Sequence, residues 1–123
     1  MIVFPFERLH VWKESRGLVK RIYRSIESFP RKEEYGLKDQ IRRASISVSL
    51  NLVEGTARQR GKEQANYYKY SFSSLMEVMS GLILATDLGY LDEQVLQELK
   101  IEIAVLAKRI NALRKATLKS NTK

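Results

Sequence analysis

Two polar residues, Asn51 and Glu54, lie among apolar residues near the end of a long segment with helical periodicity. In a helix, residues three positions apart lie on the same side, about one turn from each other. A buried carboxylate needs a cationic or hydrogen-bonding partner, which Arg42, Arg43 or a basic group on another helix could supply. We therefore favour a polar clamp that fixes the register of the helices, with the adjacent Gly55 in the same motif, over a catalytic acid.

Other signals of catalysis or metal binding are weak. The chain has no cysteine and one histidine, His10, which excludes a thiolate site and a multi-histidine cage within one protomer. The Gly55–Lys62 segment resembles a phosphate-binding loop, but it has one residue too many between its glycines and Glu63 where serine or threonine is required. We therefore predict no enzymatic activity, no metal and no cofactor. A bundle enzyme would rest on Asn51 and Glu54 alone.

The charge of the chain is strongly positive and unevenly distributed. Its 22 lysines and arginines against 14 aspartates and glutamates give a net charge of +8. Residues 1–30, 31–62 and 100–123 carry surpluses of +3, +4 and +6, whereas residues 63–99 carry −5. A basic surplus attracts polyanions such as RNA, DNA or an anionic membrane surface. The acidic segment offers the basic segments a partner within the protein itself.

Basic residues near the predicted turn between the second and third helices alternate with tyrosines. This pattern is typical of surfaces that contact phosphates, and Tyr67 or Tyr70 could stack on unpaired bases. The alternative is that both tyrosines line a contact between subunits. One of the second-helix arginines could also pair with Glu54 or Glu77 inside the bundle instead of binding phosphate. The candidate phosphate contacts are Lys20, Arg21, Arg24, Arg42, Arg43, Arg58, Arg60 and Lys62.

Four helices are predicted to position these residues. Apolar residues recur at spacings of three and four residues in four long segments. One run in the second segment alternates between apolar and polar residues, as in a strand, but the helical spacing continues on both sides of it. The predicted helices span about residues 7–28, 35–58, 62–88 and 93–118. Short connections force neighbouring helices to run antiparallel. The fold class is therefore all-α, a single antiparallel up-and-down four-helix bundle over residues 1–123.

The spacings also predict which face of each helix turns inward. For the first helix these residues are Leu9, Trp12, Arg16, Val19, Tyr23 and Ile26, and Leu18 and Ile22 widen the stripe. For the second they are Leu37, Ile41, Ala44, Val48 and Leu52, with Ile46, Leu50 and Val53 on another face. For the third they are Ala65, Tyr68, Phe72, Leu75, Met79, Leu82 and Thr86. The fourth has a seven-residue repeat formed by Leu96, Leu99, Ile103, Leu106, Ile110 and Leu113.

The predicted helix ends and the compartment follow from local signals. Gly89 is expected to end the third helix in a left-handed conformation, and Asp92 to cap the start of the fourth. The polar tail, residues 119–123, is expected to fray. No run of about 18 apolar residues predicts a membrane span, and the N-terminus lacks the features of a signal peptide. We therefore expect a cytoplasmic protein.

A specific motif occupies the second predicted helix and the residues before it. Its parts are Glu34-Tyr35-Gly36-Leu37, Gln40-Ile41-Arg42-Arg43-Ala44, Ser47 and Asn51-Leu52-Val53-Glu54-Gly55. Supporting matches are Leu9, Val11-Trp12-Lys13, Phe29-Pro30, Arg58, Ser74, Glu77 and Leu88-Gly89-Tyr90-Leu91. With these residues, the chain resembles the 23S rRNA intervening-sequence protein family, also called four-helix-bundle ribosomal-type proteins, over about residues 8–115.

The resemblance implies an antiparallel bundle without enzymatic activity that assembles into a homo-oligomeric ring, typically a pentamer. Members of this family are encoded in insertions within bacterial large-subunit rRNA genes, or are accessory proteins of diversity-generating retroelements. The latter are implied to bind a reverse transcriptase and nucleic acid through a basic surface.

Two functions therefore remain open. The leading hypothesis is a basic oligomeric module that binds nucleic acid, RNA in preference to DNA. The alternative is a structural or adaptor ring that binds a protein partner such as a reverse transcriptase. It is motivated by the −5 segment beside the +6 segment, because docking of unlike faces makes a closed ring.

Overall fold

The computed structural model describes residues 1–120, and residues 121–123 of the tail expected to fray lie outside this range. The four α-helices are α1 (His10–Ile26), α2 (Leu37–Ala57), α3 (Gly61–Asp87) and α4 (Glu93–Ser120). Short 3₁₀ helices at Pro5–Arg8 and Arg31–Glu33 precede α1 and α2. No strand occurs in residues 1–120. Positions 119 and 120 belong to α4, so the part of the tail that is described continues the helix.

Each helix packs against two neighbours, as at the corners of a square. Both α1 and α3 contact α2 and α4, whereas neither diagonal pair is in contact within residues 1–120. Two ion pairs show that α1 and α4 run in opposite directions: Glu14 pairs with Arg109, and Arg21, two turns further along α1, pairs with Glu102. The predicted antiparallel up-and-down four-helix bundle is thereby confirmed.

The core is formed by apolar stripes on all four helices. The predicted stripe of α2 is buried at Ile41, Val48 and Leu52, and α3 contributes the buried Leu75 and Leu82. The seven-residue repeat of α4 is confirmed by the burial of Leu96, Leu99, Ile103, Leu106 and Ile110. Each fully buried side chain of this kind stabilises the fold by about 1.5–3 kcal/mol relative to its exposure. The burial of these apolar stripes is sufficient to hold the four helices together without a bound ligand.

The inward face of α1 differs in part from the prediction. Its buried residues are Val11, Ser15, Leu18, Ile22 and Ile26, whereas Trp12 and Val19 are half-buried and Arg16 and Tyr23 are exposed. Apolar residues cover two adjacent sides of this helix, so the spacing fits either side. The predicted side would bury the Arg16 guanidinium, whereas the observed side buries only the Ser15 hydroxyl, which donates to the Trp12 carbonyl at 2.7 Å.

The first helix is also shorter than the predicted span of residues 7–28. Leu9 has an extended backbone, with φ −72° and ψ 118°, and separates the first 3₁₀ helix from α1. The helix ends at Ile26 because Pro30 disfavours helical geometry at the residue before it. The 3₁₀ helix at Arg31–Glu33 then leads into α2.

Small residues allow α2 and α3 to approach each other. A Cβ added to Gly55, the glycine of the predicted motif, would lie within 3.0 Å of three ring carbons of Tyr68. The buried Ser71 donates its hydroxyl to the Val48 carbonyl at 2.7 Å. Further along, a Cβ added to Gly81 would lie 2.7 Å from Ile41. The two helices therefore depend on the absence of side-chain volume at these positions.

The turn between α3 and α4 has the predicted glycine. Gly89 has φ +82°, in the left-handed region, and its N–H donates to the Thr86 carbonyl at 3.0 Å. The Tyr90 N–H donates to the Ala85 carbonyl at 2.8 Å. These two bonds form a Schellman motif, which satisfies carbonyls at the end of the helix.

Candidate nucleic-acid interface

Glu54 does not form the predicted clamp between helices, whereas Asn51 contributes to one through Ser47, whose hydroxyl also accepts a hydrogen bond from Ser74 of α3 at 2.9 Å. The Glu54 side chain is 52% exposed and accepts a hydrogen bond from Arg58, four positions later, at 3.0 Å. The Asn51 amide donates to the carbonyl and to the hydroxyl of Ser47, one turn earlier, both at 2.9 Å. Both residues therefore find partners close by in the chain, and no buried carboxylate has to be compensated.

Arg42 and Arg43 also have partners close by in the chain, and neither pairs with a carboxylate further along the bundle. Arg42 donates to Glu34 at 2.9 Å and to Asp39 at 3.4 Å, and the hydrogen bond to Glu34 is the main reason that its pKa is raised. Arg43 donates to Asp39 at 3.0 Å, yet its side chain remains 82% exposed. Arg42 is thus fixed, whereas Arg43 still presents charge to solvent.

Arg58 forms a compact cluster with two tyrosines. Its guanidinium carbon lies 4.6 Å from the Tyr67 ring centroid, and it donates to the Tyr67 phenol oxygen at 2.9 Å. The hydrogen bond to Glu54, followed by the interaction with Tyr67, raises the pKa of Arg58. Tyr67 packs edge-on against Tyr70, with ring centroids 5.6 Å apart, and Tyr70 is 50% exposed. Arg58 and Tyr67 are therefore engaged within the protein, and Tyr70 alone presents a free ring.

The other predicted phosphate contacts divide into paired and unpaired cations. Arg21 is bound to Glu102 of α4, and this hydrogen bond raises the pKa of Arg21. The contacts that have no ionic partner among the described residues are Lys20, Arg24, Arg60 and Lys62. The first two are exposed on α1, and the last two flank the turn before α3.

Lys20 and Arg24 belong to a basic ridge along α1, which we define as Lys13, Arg16, Lys20 and Arg24. All four are exposed and follow the spacing of three and four on the side of α1 opposite its buried stripe. The ridge extends for about 16 Å at the rise of an α-helix. Within residues 1–120 none of the four pairs with a carboxylate, and Arg16 lies over the Trp12 ring, 5.6 Å from its centroid.

Two members of the ridge were not among the predicted contacts. Arg16 was assigned to the inward stripe of the first helix, and Lys13 was assigned only to the family motif. The helical spacing of four basic residues is the signal that identifies them, because such spacing aligns cations on one face just as it aligns apolar residues.

An open groove of about 490 Å³ runs between α1 and α2 beside the ridge. Its lining includes the aromatic ring of Tyr23 and a single carboxylate, Glu27. The basic side chains in the lining are Lys20, Arg24, Lys38 and Arg42. The structure thus brings three of the predicted phosphate contacts together around a tyrosine that was predicted to lie in the core.

In addition to the exposed Leu84 of α3 and Leu88 just after it, two pairs of exposed apolar residues lie at opposite corners of the bundle. Ile46 and Leu50 form the α2 patch, on the face of α2 that was predicted to lie away from its inward stripe. Ile101 and Val105 form the α4 patch. Because α2 and α4 occupy one diagonal of the square, the two patches point away from each other.

The described residues also limit two other kinds of site. No helix in residues 1–120 is long and apolar enough to cross a membrane. In the same part of the chain, no three histidine, aspartate or glutamate side chains are grouped so that they could hold a metal ion.

Comparisons with known proteins match parts of all four helices. The family model described as "23S rRNA-intervening sequence protein" matches residues 7–112. A solved structure from Bacteroides thetaiotaomicron, described as a protein of unknown function from the S23 ribosomal protein family, is similar in fold with a TM-score of 0.78. It is 18% identical, and the similarity covers 85% of this chain and 98% of that chain. No curated protein shows significant similarity to the sequence.

Proposed function

This chain belongs to the 23S rRNA-intervening sequence protein family, and on that premise we propose that it is a non-enzymatic, oligomeric, cytoplasmic module that binds structured RNA. The observation that carries the proposal is the basic ridge of α1. Four exposed cations follow one face of a helix, and no carboxylate of residues 1–120 neutralises them. A row of this kind displaces counterions from a phosphate backbone, which is the main source of sequence-independent affinity for nucleic acid.

The residues around the turn before α3 provide further positive charge for the proposed RNA binding. Arg60 and Lys62 add two exposed cations without ionic partners in the described part of the chain. Arg21, Arg42 and Arg58 contribute less to binding in this proposal, because each already donates to a carboxylate. Of the eight predicted contacts, Lys20, Arg24, Arg60 and Lys62 are therefore the most available to phosphate, and Arg43 keeps an exposed charge beside Asp39.

The experiment measures the affinity for a structured RNA over a range of salt concentrations. With about four phosphates neutralised, the slope of log K against log salt is expected near −4 on a duplex. The double substitution Lys20→Gln with Arg24→Gln should reduce the slope by about 2. The matched control is Lys108→Gln with Lys115→Gln, which removes two exposed cations from α4. A flat salt response, or an equal effect of both pairs, would contradict the proposal, and equal binding of DNA would widen it to both nucleic acids.

We also propose that the chain assembles into a homo-oligomeric ring of about five copies. The support is the pair of unlike apolar patches on one diagonal, since contact between the α2 patch of one copy and the α4 patch of the next is heterologous. Light scattering at micromolar protein should give the mass of the ring, and a strict monomer would contradict it.

Two single substitutions test the geometry of the ring. Leu50→Glu and Ile101→Glu should each break it, and an equal mixture of the two variants should form a dimer through the one intact contact. A self-complementary contact would give no such rescue.

An adaptor function is the second candidate. The two exposed apolar patches favour it, because contiguous apolar surface on a folded domain marks a contact with another protein. The protein partner would be of the reverse-transcriptase class implied by the resemblance. A gel shift with structured RNA separates the candidates, because the nucleic-acid-binding module is expected to shift the RNA and a pure protein adaptor is not. Enzymatic chemistry at Glu54 gains no support, because this carboxylate is exposed and paired with Arg58.

A further inference from the structure

We propose that the groove between α1 and α2 takes an unpaired base of the bound RNA, which stacks on Tyr23. The inference rests on the RNA binding proposed above and adds the class of substrate: single-stranded or looped segments rather than continuous duplex. Bases in a duplex are already stacked on each other, whereas bases in loops can be turned out onto an aromatic side chain.

Tyr23 has a free ring in the right place. Its side chain is 41% exposed and lines the groove. It makes no hydrogen bond, ring contact or cation–π contact with any other described residue. Tyr67 and Tyr70, by contrast, are in edge-on contact with each other. Tyr35 is also exposed and makes no ring contact in residues 1–120, but the cation beside it, Arg43, is bound to Asp39. A free aromatic face beside cations is the arrangement that binds single strands without sequence preference.

The two walls of the groove carry charge in different ways. On the α1 side, Lys20 and Arg24 have no ionic partner in residues 1–120 and remain available for the phosphates on either side of the base. On the α2 side, Lys38 and Arg42 are held by Glu34 at 3.1 Å and 2.9 Å. The cations of the α2 wall are therefore fixed by their own ion pairs, and the α1 wall supplies the cations that are available to bind phosphate.

The chemistry of the lining selects a nucleotide over other occupants. Lys20 and Arg24 have no ionic partner in residues 1–120, and Glu27 is the single carboxylate of the lining, so the α1 side of the groove favours a polyanion over a basic or purely apolar segment. The volume of about 490 Å³ lies within the range of about 300–1,000 Å³ that is usual for small-ligand sites. The groove is open along its length, which suits a chain that continues on both sides of the bound base.

The cluster at Tyr70 is a less favourable place for the same event. Its neighbouring cation, Arg58, is bound to Glu54 and also feels the charge of Glu63. Arg58, the cation in contact with Tyr67, is thus already bound, whereas Lys20 and Arg24 beside Tyr23 have no ionic partner in residues 1–120.

The experiment compares a single-stranded RNA with a blunt duplex of the same sequence by fluorescence anisotropy. Tyr23→Ala should weaken binding of the single strand about tenfold and leave binding of the duplex unchanged. Tyr23→Phe, which keeps the ring, should bind within about twofold of the wild type. Tyr23→Trp should bind at least as well, and its added fluorescence should be quenched by the single strand. Tyr70→Ala is the matched control and should bind like the wild type.

The outcomes distinguish a failure of base stacking on Tyr23 from a failure of RNA binding itself. Equal losses on single strand and duplex, no loss in Tyr23→Ala, or the tenfold loss in Tyr70→Ala instead, would overturn the assignment to Tyr23 while leaving RNA binding intact. A change of oligomeric mass in Tyr23→Ala would show that the groove is a contact between copies and would also overturn it. Failure of the wild-type protein to bind either RNA at low salt would remove the proposed function itself.

Discussion

Gly55 of α2 lies directly against the aromatic ring of Tyr68 in α3, and one methyl group at position 55 would overlap three carbons of that ring. Tyr68 cannot turn away, because its side chain is buried between the two helices. Its burial also raises the pKa of the phenol. Gly55, the last residue of the second-helix motif, is therefore required for packing.

Replacing Gly55 by alanine should lower the free energy of unfolding by about 1–3 kcal/mol, because the added methyl group overpacks the interface. Gly17→Ala is the matched control within α1, where the nearest atom to a new Cβ is the flexible end of Arg21 at 3.3 Å. There the removal of glycine should stabilise the helix by about 0.5–1 kcal/mol. Urea unfolding measures both, and equal stability of the two variants would refute the steric interpretation.

The backbone at Gly89 gives a second prediction about glycine, with a different cause. A Cβ at this position would meet no atom within 4 Å, but φ is +82°. Gly89→Ala should therefore cost about 1–2 kcal/mol through backbone strain alone. Gly89→Asn should cost less, since asparagine tolerates the left-handed region. Thermal unfolding that ranked the alanine variant above the asparagine variant would contradict this account.

Substitutions of Ser71 test whether this serine acts mainly as a small spacer between α2 and α3. Ser71→Ala loses the hydrogen bond to the Val48 carbonyl and should cost about 1 kcal/mol. Ser71→Leu should cost more, about 1–3 kcal/mol beyond the alanine variant, because it overpacks the α2–α3 interface. The two urea midpoints give the comparison. If the leucine variant is at least as stable as the alanine variant, the space between these helices is not limiting.

Glu34 makes stability depend on pH in the acid range. Hydrogen bonds from Arg42 and then Lys38 lower its pKa below the ordinary value of 4.5. A carboxyl whose pKa is lower in the folded state stabilises the protein above its unfolded pKa, and this contribution is lost as the pH falls through the folded pKa. Glu34→Gln should therefore lower the urea midpoint at about pH 7, and the difference from the wild type should vanish at about pH 2.

The control for this prediction is Glu98→Gln, which removes an exposed carboxylate that has no ionic partner in residues 1–120. It should change the urea midpoint little at either pH. A difference between the Glu34→Gln variant and the wild type that grows in acid would reverse the sign of the expected linkage.

The helices and the inward faces of α2 and α4 could be predicted because one face of each of these helices carries apolar residues along most of its length, longer than the run of Ile46, Leu50 and Val53 on α2. In α1 two faces do, and spacing cannot choose between them. The choice depends on which face avoids burying Arg16, and that cost appears only when neighbouring helices are in place. Tyr23 was assigned to the core for this reason, and the groove beside it could not be predicted.

Glu54 shows a second limit of reasoning from sequence. A carboxylate flanked by apolar residues was expected to be buried, but Arg58 lies four positions later, and the exposed pair that they form costs no desolvation. The cation with which a carboxylate pairs depends on whether its side of the helix faces the interior of the bundle or the solvent. The family motif identified Glu54 from the sequence, whereas the environment of its side chain could be known only from the packed bundle.

The two apolar patches on the diagonal of the bundle affect incorrect assembly as well as correct assembly. A copy that uses one patch leaves the other open, so contact between patches does not by itself limit the number of copies. The tilt between successive bundles alone decides whether the series returns to its first member or continues as a fibre. Substitutions around Leu50 or Ile101 that alter this tilt, without weakening folding or adhesion, would convert a finite particle into a filament.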